Sequence, residues 1–383
     1  MTVTVPGPTL GVVGGGQLGR MLAEAAAPLG VDVVVLDPTP DCPAAPVARE
    51  QVVGGFDDPE AFRELASRVD ALTFEIELAD SDLLEEVAEE FGLTVHPSPE
   101  TLRTIEDKLV QKRALEDAGV PVPPFRAVDD EADLRDAVSE FGSVMLKART
   151  GGYDGRGNVP VRDESEAADA LDELDGPAMA EAFVDFEREL SVIAVQGDGE
   201  VRTLPPGENV HEAEILRETV VPARTTAEVR ERANEVANDV LSMLSGRGVF
   251  GIELFETRDG EILVNEIAPR PHNSGHWSIE GARTSQFEQH VRAVLGWPLG
   301  STALRSPTVS ANVLGTVEET RAARLGNVES VLSAEEASLH WYGKDDVRPL
   351  RKMGHLTLTG ANDADVTDLL SRARDLRDGL TFE

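Results

Sequence analysis

Lysine is scarce in this sequence, and acidic residues far outnumber basic ones. Among 383 residues there are 71 aspartates and glutamates against 35 lysines and arginines, which gives a formal charge of −36. Such a charge disfavours non-specific binding to nucleic acids, so we expect no nucleic-acid partner. It also repels anionic metabolites, and any phosphate site must therefore gather cations and backbone N–H groups locally. The lysines that could serve such a site are Lys108, Lys112, Lys147, Lys344 and Lys352.

Cysteine and long apolar runs are equally rare. The single cysteine, Cys42, excludes an internal disulfide and a multi-cysteine metal site. No apolar run reaches the roughly 18 residues that a membrane span needs. The first residues also lack a basic stretch followed by an apolar one. We therefore expect a soluble, cytoplasmic protein without a membrane partner.

The acidic residues are dispersed through helix-like stretches such as 81–91 and 129–141 rather than collected in a tail. Dispersal predicts a solvated acidic surface. Together with the preference for arginine over lysine, it indicates a halophilic protein whose charges are screened by concentrated salt. A partner with a large basic surface is the alternative, although no acidic block supports it.

Strands and helices alternate over residues 1–100. Buried strands are predicted at Thr9–Val13, 31–37, 51–53 and 71–75, with helices between them and a last strand at 93–96. The alternation predicts a parallel, doubly wound sheet in this first domain.

The rest of the chain predicts two further domains, 101–296 and 297–383. The second domain begins with a helix and a proline-rich turn in 101–125 and ends with a hairpin of strands 248–256 and 261–267. Short strands and a closing helix predict that the third domain is small and β-rich.

A glycine-rich loop lies between Lys147 and Asn158. Gly151, Gly152, Gly155 and Gly157 can bring backbone N–H groups close to an anion, and Lys147 and Arg156 flank the loop with positive charge. The pattern predicts a clamp for a nucleotide triphosphate. A flexible surface hairpin is the alternative interpretation.

Gly14, Gly16 and Gly19 follow the first strand, and Asp37 ends the second strand. This arrangement matches the dinucleotide-binding fingerprint and, taken alone, would predict a dehydrogenase. The alternative is a mononucleotide-type βαβ unit, which needs the same tight first turn.

Two carboxylates, Glu75 and Glu77, come at the carboxyl end of the strand predicted at 71–75. Open α/β sheets bind their ligands at this edge, so either carboxylate could grip ligand hydroxyls or an amine. A solvated strand end is the alternative.

The hairpin in 248–267 places two glutamates opposite each other. If Asp259 and Gly260 form a two-residue turn, Glu253 faces Glu266 in a buried sheet. Facing carboxylates repel each other unless a cation lies between them, and with Asn265 adjacent they suit Mg²⁺ held partly by substrate phosphates. A structural salt bridge to an arginine is the alternative.

Two further segments carry dense polar chemistry. The loop 269–277 contains Arg270, His272, Asn273 and His276, and its Pro, Ser and Gly residues argue against a helical zinc motif. It is interpreted as an anion-handling loop. The segment 340–352 is the densest basic patch and predicts a phosphate site, unless Asp345 and Asp346 merely neutralise it.

Together these motifs resemble the ATP-grasp superfamily and, more narrowly, the 5-(carboxyamino)imidazole ribonucleotide synthases of purine biosynthesis. The matching segments are 14–19, 73–77, 152–157, 269–277 and 342–355. The resemblance implies a fold of the α/β and α+β classes with three domains. These would be an N-terminal doubly wound parallel-sheet domain, a central ATP-grasp domain and a small C-terminal β-rich domain.

The resemblance also implies roles for individual residues. Lys108 and Lys147 would contact the ATP phosphates, and Glu253 and Glu266 would carry Mg²⁺. The rest of the implied ATP site is Gly152, Tyr153, Asp154, Gly155, Arg156, Gly157, Asn158, Glu181, Ala182, Phe183, Val184, Glu189, His211, Asn265 and Glu266. The implied aminoimidazole ribonucleotide site is Gln17, Glu75, Tyr153, Arg156, Lys344 and Arg351. Arg270 and Asn273 would orient bicarbonate and, with Tyr153 and Arg156, act in catalysis.

The implied activity is ATP-dependent carboxylation of the amine of aminoimidazole ribonucleotide by bicarbonate, in a homodimer. Three alternatives stay open from sequence. They are a formate-dependent glycinamide ribonucleotide transformylase of the same fold, an NAD-dependent oxidoreductase, and a nucleotide sensor without turnover.

Overall fold

The computed structural model describes residues 3–151, 157–174, 176–362 and 364–383. The chain begins with a parallel sheet in the order β3-β2-β1-β4, flanked by helices, as the alternation predicts. Its elements are β1 (Thr9–Val13), α1 (Gln17–Ala26), β2 (Asp32–Asp37), β3 (Glu50–Val53), α2 (Pro59–Ala66), β4 (Ala71–Phe74) and α3 (Ser81–Phe91). Among the helices in the described ranges, none has both the length and the apolar character needed to cross a bilayer.

The strand predicted at 93–96 is wrong. Only Val95 forms an isolated parallel bridge, with Leu72 of β4. Pro97 follows His96 at once and has no N–H to donate, so the ladder cannot extend.

The next part of the chain forms an antiparallel sheet in the order β5-β8-β6-β7. Where one helix is predicted in 101–125, the structure has two, because Asp107 is extended and its carboxylate accepts the N–H groups of Leu109 and Val110. The second helix therefore begins at Lys108. The elements are α4 (Pro99–Glu106), α5 (Lys108–Asp117), β5 (Phe125–Val128), α6 (Glu131–Phe141), β6 (Val144–Ala148), β7 (Asn158–Val161), α7 (Ala167–Leu174) and β8 (Ala178–Ala182).

A long antiparallel sheet then runs through the rest of the molecule in the order β14-β13-β9-β11-β12-β15-β20-β18. Its first elements are β9 (Phe186–Gln196), β10 (Val201–Thr203), β11 (Gly207–Glu212), β12 (Ile215–Val221), α8 (Ala227–Met243), β13 (Gly248–Thr257), β14 (Ile262–Ala268), α9 (Ser278–Gly281) and α10 (Gln286–Val294). Its last elements are β15 (Thr308–Leu314), β16 (Arg321–Ala322), β17 (Leu325–Gly326), α11 (Glu329–Leu332), β18 (Ala337–Trp341), β19 (Asp346–Val347), β20 (Lys352–Thr359), α12 (Val366–Asp378) and β21 (Thr381–Phe382). Because β12 pairs with β15, one sheet joins the hairpin to the C-terminal strands.

The two faces of this sheet differ in character. One face is apolar: residues such as Val192 and Ile252 pack with α8, and Val309 and Leu358 pack with α12. Each such buried side chain contributes about 1.5–3 kcal/mol. The opposite face carries polar residues that pair directly across neighbouring strands, and directly paired residues share a face. One such row is Asn209, Thr219, Ser310, Thr357 and Ser338. The sheet therefore offers a continuous polar surface to the site.

Candidate active site

Glu253 of β13 lies directly opposite Glu266 of β14, as predicted. The predicted burial of both carboxylates is wrong, because the Glu266 side chain is 48% exposed. The predicted two-residue turn is nevertheless wrong. Thr257 pairs with Glu261 around a three-residue loop that ends at Gly260, whose φ is +78°. This loop shifts the register by one residue, and a β-bulge beside Glu253 shifts it back. Two departures from the prediction thus cancel at the glutamate pair.

The bulge leaves Asn265 as the extra residue on β14, and both Asn265 and Glu266 contact lysines. Lys147 Nζ lies 3.3 Å from Asn265 Oδ1, and Lys108 Nζ lies 2.7 Å from Glu266 Oε1. The hairpin therefore meets both lysines that the sequence assigns to ATP phosphates.

A third lysine, Lys112, belongs to the same cluster, although the sequence motifs assigned it no role in the site. Its Nζ lies 2.6 Å from Glu181 Oε2 and donates to the carbonyl of Val264 at 2.9 Å, while Lys147 Nζ lies 2.5 Å from Glu181 Oε1. Burial raises the pKa of Glu181, but the two lysines outweigh burial and lower it. Glu181 is thus a buried anion that holds two lysines in place. The scarcity of lysine was the signal that could have revealed Lys112.

The two facing glutamates differ in pKa. Burial, together with the charge of Glu266, raises the pKa of Glu253 to about 7. Burial also raises the pKa of Glu266, but Lys108 outweighs it and brings the value to about 2. A divalent cation between the carboxylates would favour ionisation of both. Two carboxylates and the Asn265 amide oxygen form a hard donor set that suits Mg²⁺.

No three His, Cys, Asp or Glu side chains in the described ranges converge to enclose a metal. Further ligands for a cation would come from substrate phosphates and water. His272 also lies near the glutamate pair, with its Nε2 3.8 Å from Glu253 Oε1.

The residues predicted to bind the nucleoside lie on neighbouring strands. His211 Nδ1 is 3.0 Å from Glu189 Oε2. Burial lowers the pKa of His211, but the Glu189 carboxylate outweighs burial and raises it. In the segment predicted to read adenine, the N–H groups of Ala182 and Phe183 already donate to main-chain carbonyls, so these two are not free for a base.

Of the predicted glycine clamp, Gly152, Tyr153, Asp154, Gly155 and Arg156 lie outside the described residues. The base of the clamp, where β6 leads into the loop and β7 leaves it, is held by strand pairing and hydrogen bonds. Lys147 pairs with Asn158 across β6 and β7, and Ala148 N–H donates to the Gly157 carbonyl at 2.7 Å. Arg149 pairs with Asp107 at 2.5 Å, and its carbonyl accepts the Lys108 N–H at 2.8 Å. The base of the clamp is therefore fixed to the first turn of α5.

The glycine turn after β1 binds the protein's own carboxylates. Gly16 N–H donates to Glu75 Oε1 at 2.6 Å, and Gly15 N–H donates to Asp37 Oδ2 at 2.9 Å. A Cβ on Gly14 would lie 2.5 Å from Glu75 Cγ, so the turn closes tightly on this side chain. Burial raises the pKa of Glu75 to about 7. The place that a pyrophosphate takes in the dinucleotide fingerprint is filled by Glu75, which opposes the dinucleotide-binding interpretation.

Glu77 is not a solvated strand end. Its Oε1 lies 2.8 Å from Arg270 Nη2, while Arg270 Nη1 donates to the carbonyl of Pro271 at 3.1 Å. Asn273, in the same loop, is buried, and neither its amide nitrogen nor its amide oxygen has a hydrogen-bond partner among the described residues. Both predicted bicarbonate residues thus keep unused hydrogen-bonding capacity.

Lys344 lies at the N-terminus of α1. Its Nζ donates to Gln17 Oε1 and to the Lys352 carbonyl, both at 2.7 Å. An ammonium beside a helix N-terminus is a favourable place for a phosphate. Arg351 Nη1 donates to the main-chain carbonyl of Asp346 at 2.7 Å.

The scarce lysines therefore gather around one site. Lys108, Lys112 and Lys147 surround the hairpin side chains, and Lys344 contacts Lys352 on the other side. The charge of Lys352 acts on both Glu253 and His211, so Lys352 lies within electrostatic reach of the hairpin.

Beside the site stands a column of stacked rings that the sequence did not reveal. The ring centroids of His276 and His355 are 4.7 Å apart, and those of His355 and His340 are 4.5 Å apart. Tyr342 Oη lies 2.9 Å from His355 Nδ1, and His340 Nε2 lies 2.8 Å from Glu280 Oε1. Burial lowers the pKa of His276 and of His355 well below the usual value, so both rings are neutral.

Family models match all three parts of the chain. A ribonucleotide synthetase preATP-grasp domain matches residues 8–106, an ATP-grasp domain matches 113–287, and a phosphoribosylaminoimidazole carboxylase C-terminal domain matches 308–368. The N5-carboxyaminoimidazole ribonucleotide synthase of Brucella melitensis is 43% identical over 357 residues, which cover 92% of this chain and 96% of that protein. The chain belongs to this synthase family.

Solved structures of the family have the same fold. The Aspergillus clavatus synthase complexed with ATP is 37% identical, with a TM-score of 0.90 over 98% of this chain and 99% of the other. The synthase from the same organism in complex with ADP and 5-aminoimidazole ribonucleotide is 36% identical, with a TM-score of 0.89 over 98% and 100%. The predicted family, its ATP-grasp fold and its class as an ATP-dependent ligase are confirmed.

Proposed function

We propose that this chain uses ATP and bicarbonate to carboxylate the exocyclic amine of 5-aminoimidazole ribonucleotide. The products are N5-carboxyaminoimidazole ribonucleotide, ADP and phosphate. One observation carries the proposal: a protein with five lysines in 383 residues gathers them around a facing glutamate pair and a helix N-terminus. Binding of ATP and of the ribonucleotide by family members supports it.

On the ATP side, Lys108 and Lys147 would bind the phosphates. In the structure Lys108 pairs with Glu266 and Lys147 pairs with Glu181. A bound triphosphate would replace these carboxylates as the anionic partner of the two lysines. Glu253 and Glu266 would hold Mg²⁺, which neutralises developing charge on the phosphates when it is bound.

Bicarbonate would lie against Arg270 and Asn273 of the loop 269–277. One of its oxygens attacks the γ-phosphorus, the bond to the ADP oxygen breaks, and carboxyphosphate forms. Arg270 stabilises the anion and fixes its direction of attack, since positioning and charge stabilisation are the main tasks in phosphoryl transfer. The glycine loop at 152–158, with Tyr153 and Arg156, stays the predicted cover that excludes water.

The ribonucleotide would place its phosphate at Lys344, Gln17 and Arg351 and its amine near Glu75. The amine nitrogen forms a bond to the carbon of carboxyphosphate, or to the carbon of the CO₂ that carboxyphosphate releases. The carbon–oxygen bond to phosphate breaks, and the amine proton leaves with the phosphate. The pathway needs no covalent enzyme intermediate.

We further propose a cytoplasmic homodimer that is adapted to concentrated salt. The formal charge of −36 supports the last point, because mutual repulsion of surface carboxylates weakens as salt screens them. The melting temperature should therefore rise between about 0.1 and about 2 M KCl. A flat or falling curve would contradict salt adaptation, and light scattering at the same salt would give the oligomeric state.

The activity is tested by incubating the protein with ATP, Mg²⁺, bicarbonate and 5-aminoimidazole ribonucleotide. ADP and phosphate should appear only when both bicarbonate and the ribonucleotide are present. Turnover that ignores the ribonucleotide would refute the proposal. Replacing bicarbonate with formate and the ribonucleotide with glycinamide ribonucleotide tests the transformylase alternative, which predicts turnover under those conditions.

A further inference from the structure

Glu77 and Arg270 form an ion pair between two parts of the site that lie far apart in sequence. Glu77 follows β4 on the parallel sheet, and Arg270 follows β14 on the long antiparallel sheet. The 2.8 Å contact between Oε1 and Nη2 is largely shielded, since the side chains are 29% and 18% exposed. A shielded ion pair with this geometry holds both groups in a fixed relation.

The pair leaves the Nε donor of the arginine unused. Nη2 contacts Glu77 and Nη1 donates to Pro271, but the buried Nε has no hydrogen-bond partner among the described residues. Buried N–H donors without partners are rare in folded proteins, so the unpaired Nε is the donor that a bound anion would satisfy. Glu77 therefore determines which edge of the guanidinium remains available for an anion.

Glu77 also stands where the substrate regions meet. Glu75, two residues earlier, holds the glycine turn beside α1, where Lys344 lies. The charges of Glu77, Glu75 and Glu266 all act on Arg270, and that of Glu77 acts on Lys108 as well. One carboxylate thus lies within electrostatic reach of the regions proposed for ATP, bicarbonate and the ribonucleotide.

We propose that Glu77 is a positioning residue that orients Arg270 for bicarbonate and links the ribonucleotide edge of the parallel sheet to the bicarbonate loop. This inference rests on the proposed function. Without the carboxylate, the guanidinium can turn toward Glu75 or Glu266, so bicarbonate is captured less well. Carboxyphosphate that forms in a poorly aligned site is lost to water before the amine takes it.

The test compares the wild type with Glu77→Gln, which keeps the size of the side chain and removes its charge. We expect the KM for bicarbonate to rise roughly 10- to 100-fold, because small misplacements of a positioning group have effects of this size. The KM for ATP should change by less than about twofold, since Lys108 keeps its direct partner Glu266 and loses only the longer-range charge of Glu77. The ratio of ADP formed to carboxylated product should rise above the wild-type ratio.

Two further variants separate positioning from stability. Glu208→Gln is the matched control, because Glu208, in β11 of the long antiparallel sheet, pairs with Arg224 at 2.6 Å and is 9% exposed. It should lower the melting temperature without changing the KM for bicarbonate or the product ratio. Glu77→Asp keeps the charge and should restore part of the bicarbonate affinity, which serves as the readout if Glu77→Gln folds poorly.

A double-mutant cycle with Arg270→Lys tests whether Glu77 acts through Arg270. Once Arg270 is replaced, adding Glu77→Gln should raise the KM for bicarbonate little further. Independent, additive effects of the two substitutions on this KM would overturn the inference. Unchanged bicarbonate KM and product ratio in Glu77→Gln would also overturn it and leave the proposed function intact. A wild type without ribonucleotide-dependent turnover would instead refute the proposed function.

Discussion

Two buried polar regions meet at the site and solve the problem of burial in different ways. The lysine–glutamate cluster buries the charge of Glu181 and compensates it with Lys112 and Lys147, and it continues to the more exposed pair of Lys108 and Glu266. The column of His276, His355 and His340 buries ionisable rings, and burial holds its two innermost rings in the neutral form. Only the first region has charged partners that a ligand can replace.

The difference indicates a division of labour. A triphosphate and a cation can replace the carboxylate partners of Lys108 and Lys147 with little change in net compensation, so the charged cluster suits ligand binding. The neutral rings of His276 and His355 carry no charge that a ligand could replace. The column joins the loop that carries His276 to β20 and β18, and its contribution is to hold the loop in place. The following changes break one region at a time.

Glu266→Gln should have the largest effect, because it removes a proposed cation ligand and the partner of Lys108 together. We expect kcat to fall about a thousandfold or more, while the melting temperature changes little. Steady-state kinetics over a range of Mg²⁺ concentrations would measure the loss. Glu261→Gln, an exposed glutamate before the same strand, is the control and should keep wild-type turnover. Near-normal kcat in Glu266→Gln would remove this residue from the cation site.

Lys112→Met should chiefly reduce stability. It removes one of two cations from Glu181, which is 4% exposed, and we expect the free energy of unfolding to fall by about 3–5 kcal/mol. Urea unfolding at constant salt would measure the change. Arg113→Met, exposed on the same helix, should stay within about 0.5 kcal/mol of the wild type. Equal stability of the two variants would show that Lys112 is not needed to compensate Glu181.

Lys344→Ala tests the border between the two regions, since Lys344 Nζ lies 5.6 Å from the Tyr342 ring centroid beside the column. Loss of one phosphate contact should raise the KM for the ribonucleotide about tenfold or more and leave the KM for ATP almost unchanged. Initial rates at varied concentrations of each substrate would separate the two constants. Arg324→Ala, on the exposed surface, is the control. A parallel rise in both KM values would contradict the assignment.

The histidine column should make stability depend on pH in a defined direction. The pKa of His355 is lowered in the folded state. Below about pH 6.5, therefore, His355 binds a proton in the unfolded chain but stays neutral in the folded chain. Stability is therefore complete above this pH and decreases as the pH falls. His355→Phe keeps a ring in the stack but removes the titrating group. The free energy of unfolding of this variant should therefore fall less steeply with decreasing pH, by up to about 1.4 kcal/mol per pH unit. Identical slopes in urea unfolding between pH 5.5 and pH 8, a range of about 2.5 units around the histidine pKa, would contradict a buried neutral His355.

Local patterns were enough to predict much of the fold. The alternation of apolar strands and amphipathic helices predicted the parallel sheet, and the bounds of β1 and α3 match the structure. The break between α4 and α5 was missed, because an aspartate within a helical pattern does not reveal that Asp107 caps a new helix. The bulge at Asn265 was missed because no local pattern marks the extra residue, and the contacts of Asn265 and Glu266 with Lys147 and Lys108 are remote in sequence.

Long-range groupings were harder to predict. The facing of Glu253 and Glu266 follows from one hairpin, whereas the contact of Glu77 with Arg270 requires two sheets to be placed against each other. The histidine column joins residues 276, 340 and 355, which share no periodicity in the sequence. The partners of Lys112 are likewise remote along the chain, and only the scarcity of lysine pointed toward a role for it.

The central claim is that ATP phosphorylates bicarbonate, and the fate of the bicarbonate oxygens tests it most directly. Turnover would be run with bicarbonate labelled with oxygen-18 in unlabelled water, and the released phosphate analysed by mass spectrometry. Transfer through carboxyphosphate predicts one labelled oxygen in each phosphate, less the label that bicarbonate exchanges with water. Unlabelled phosphate would show that water attacks ATP and would contradict the proposed function.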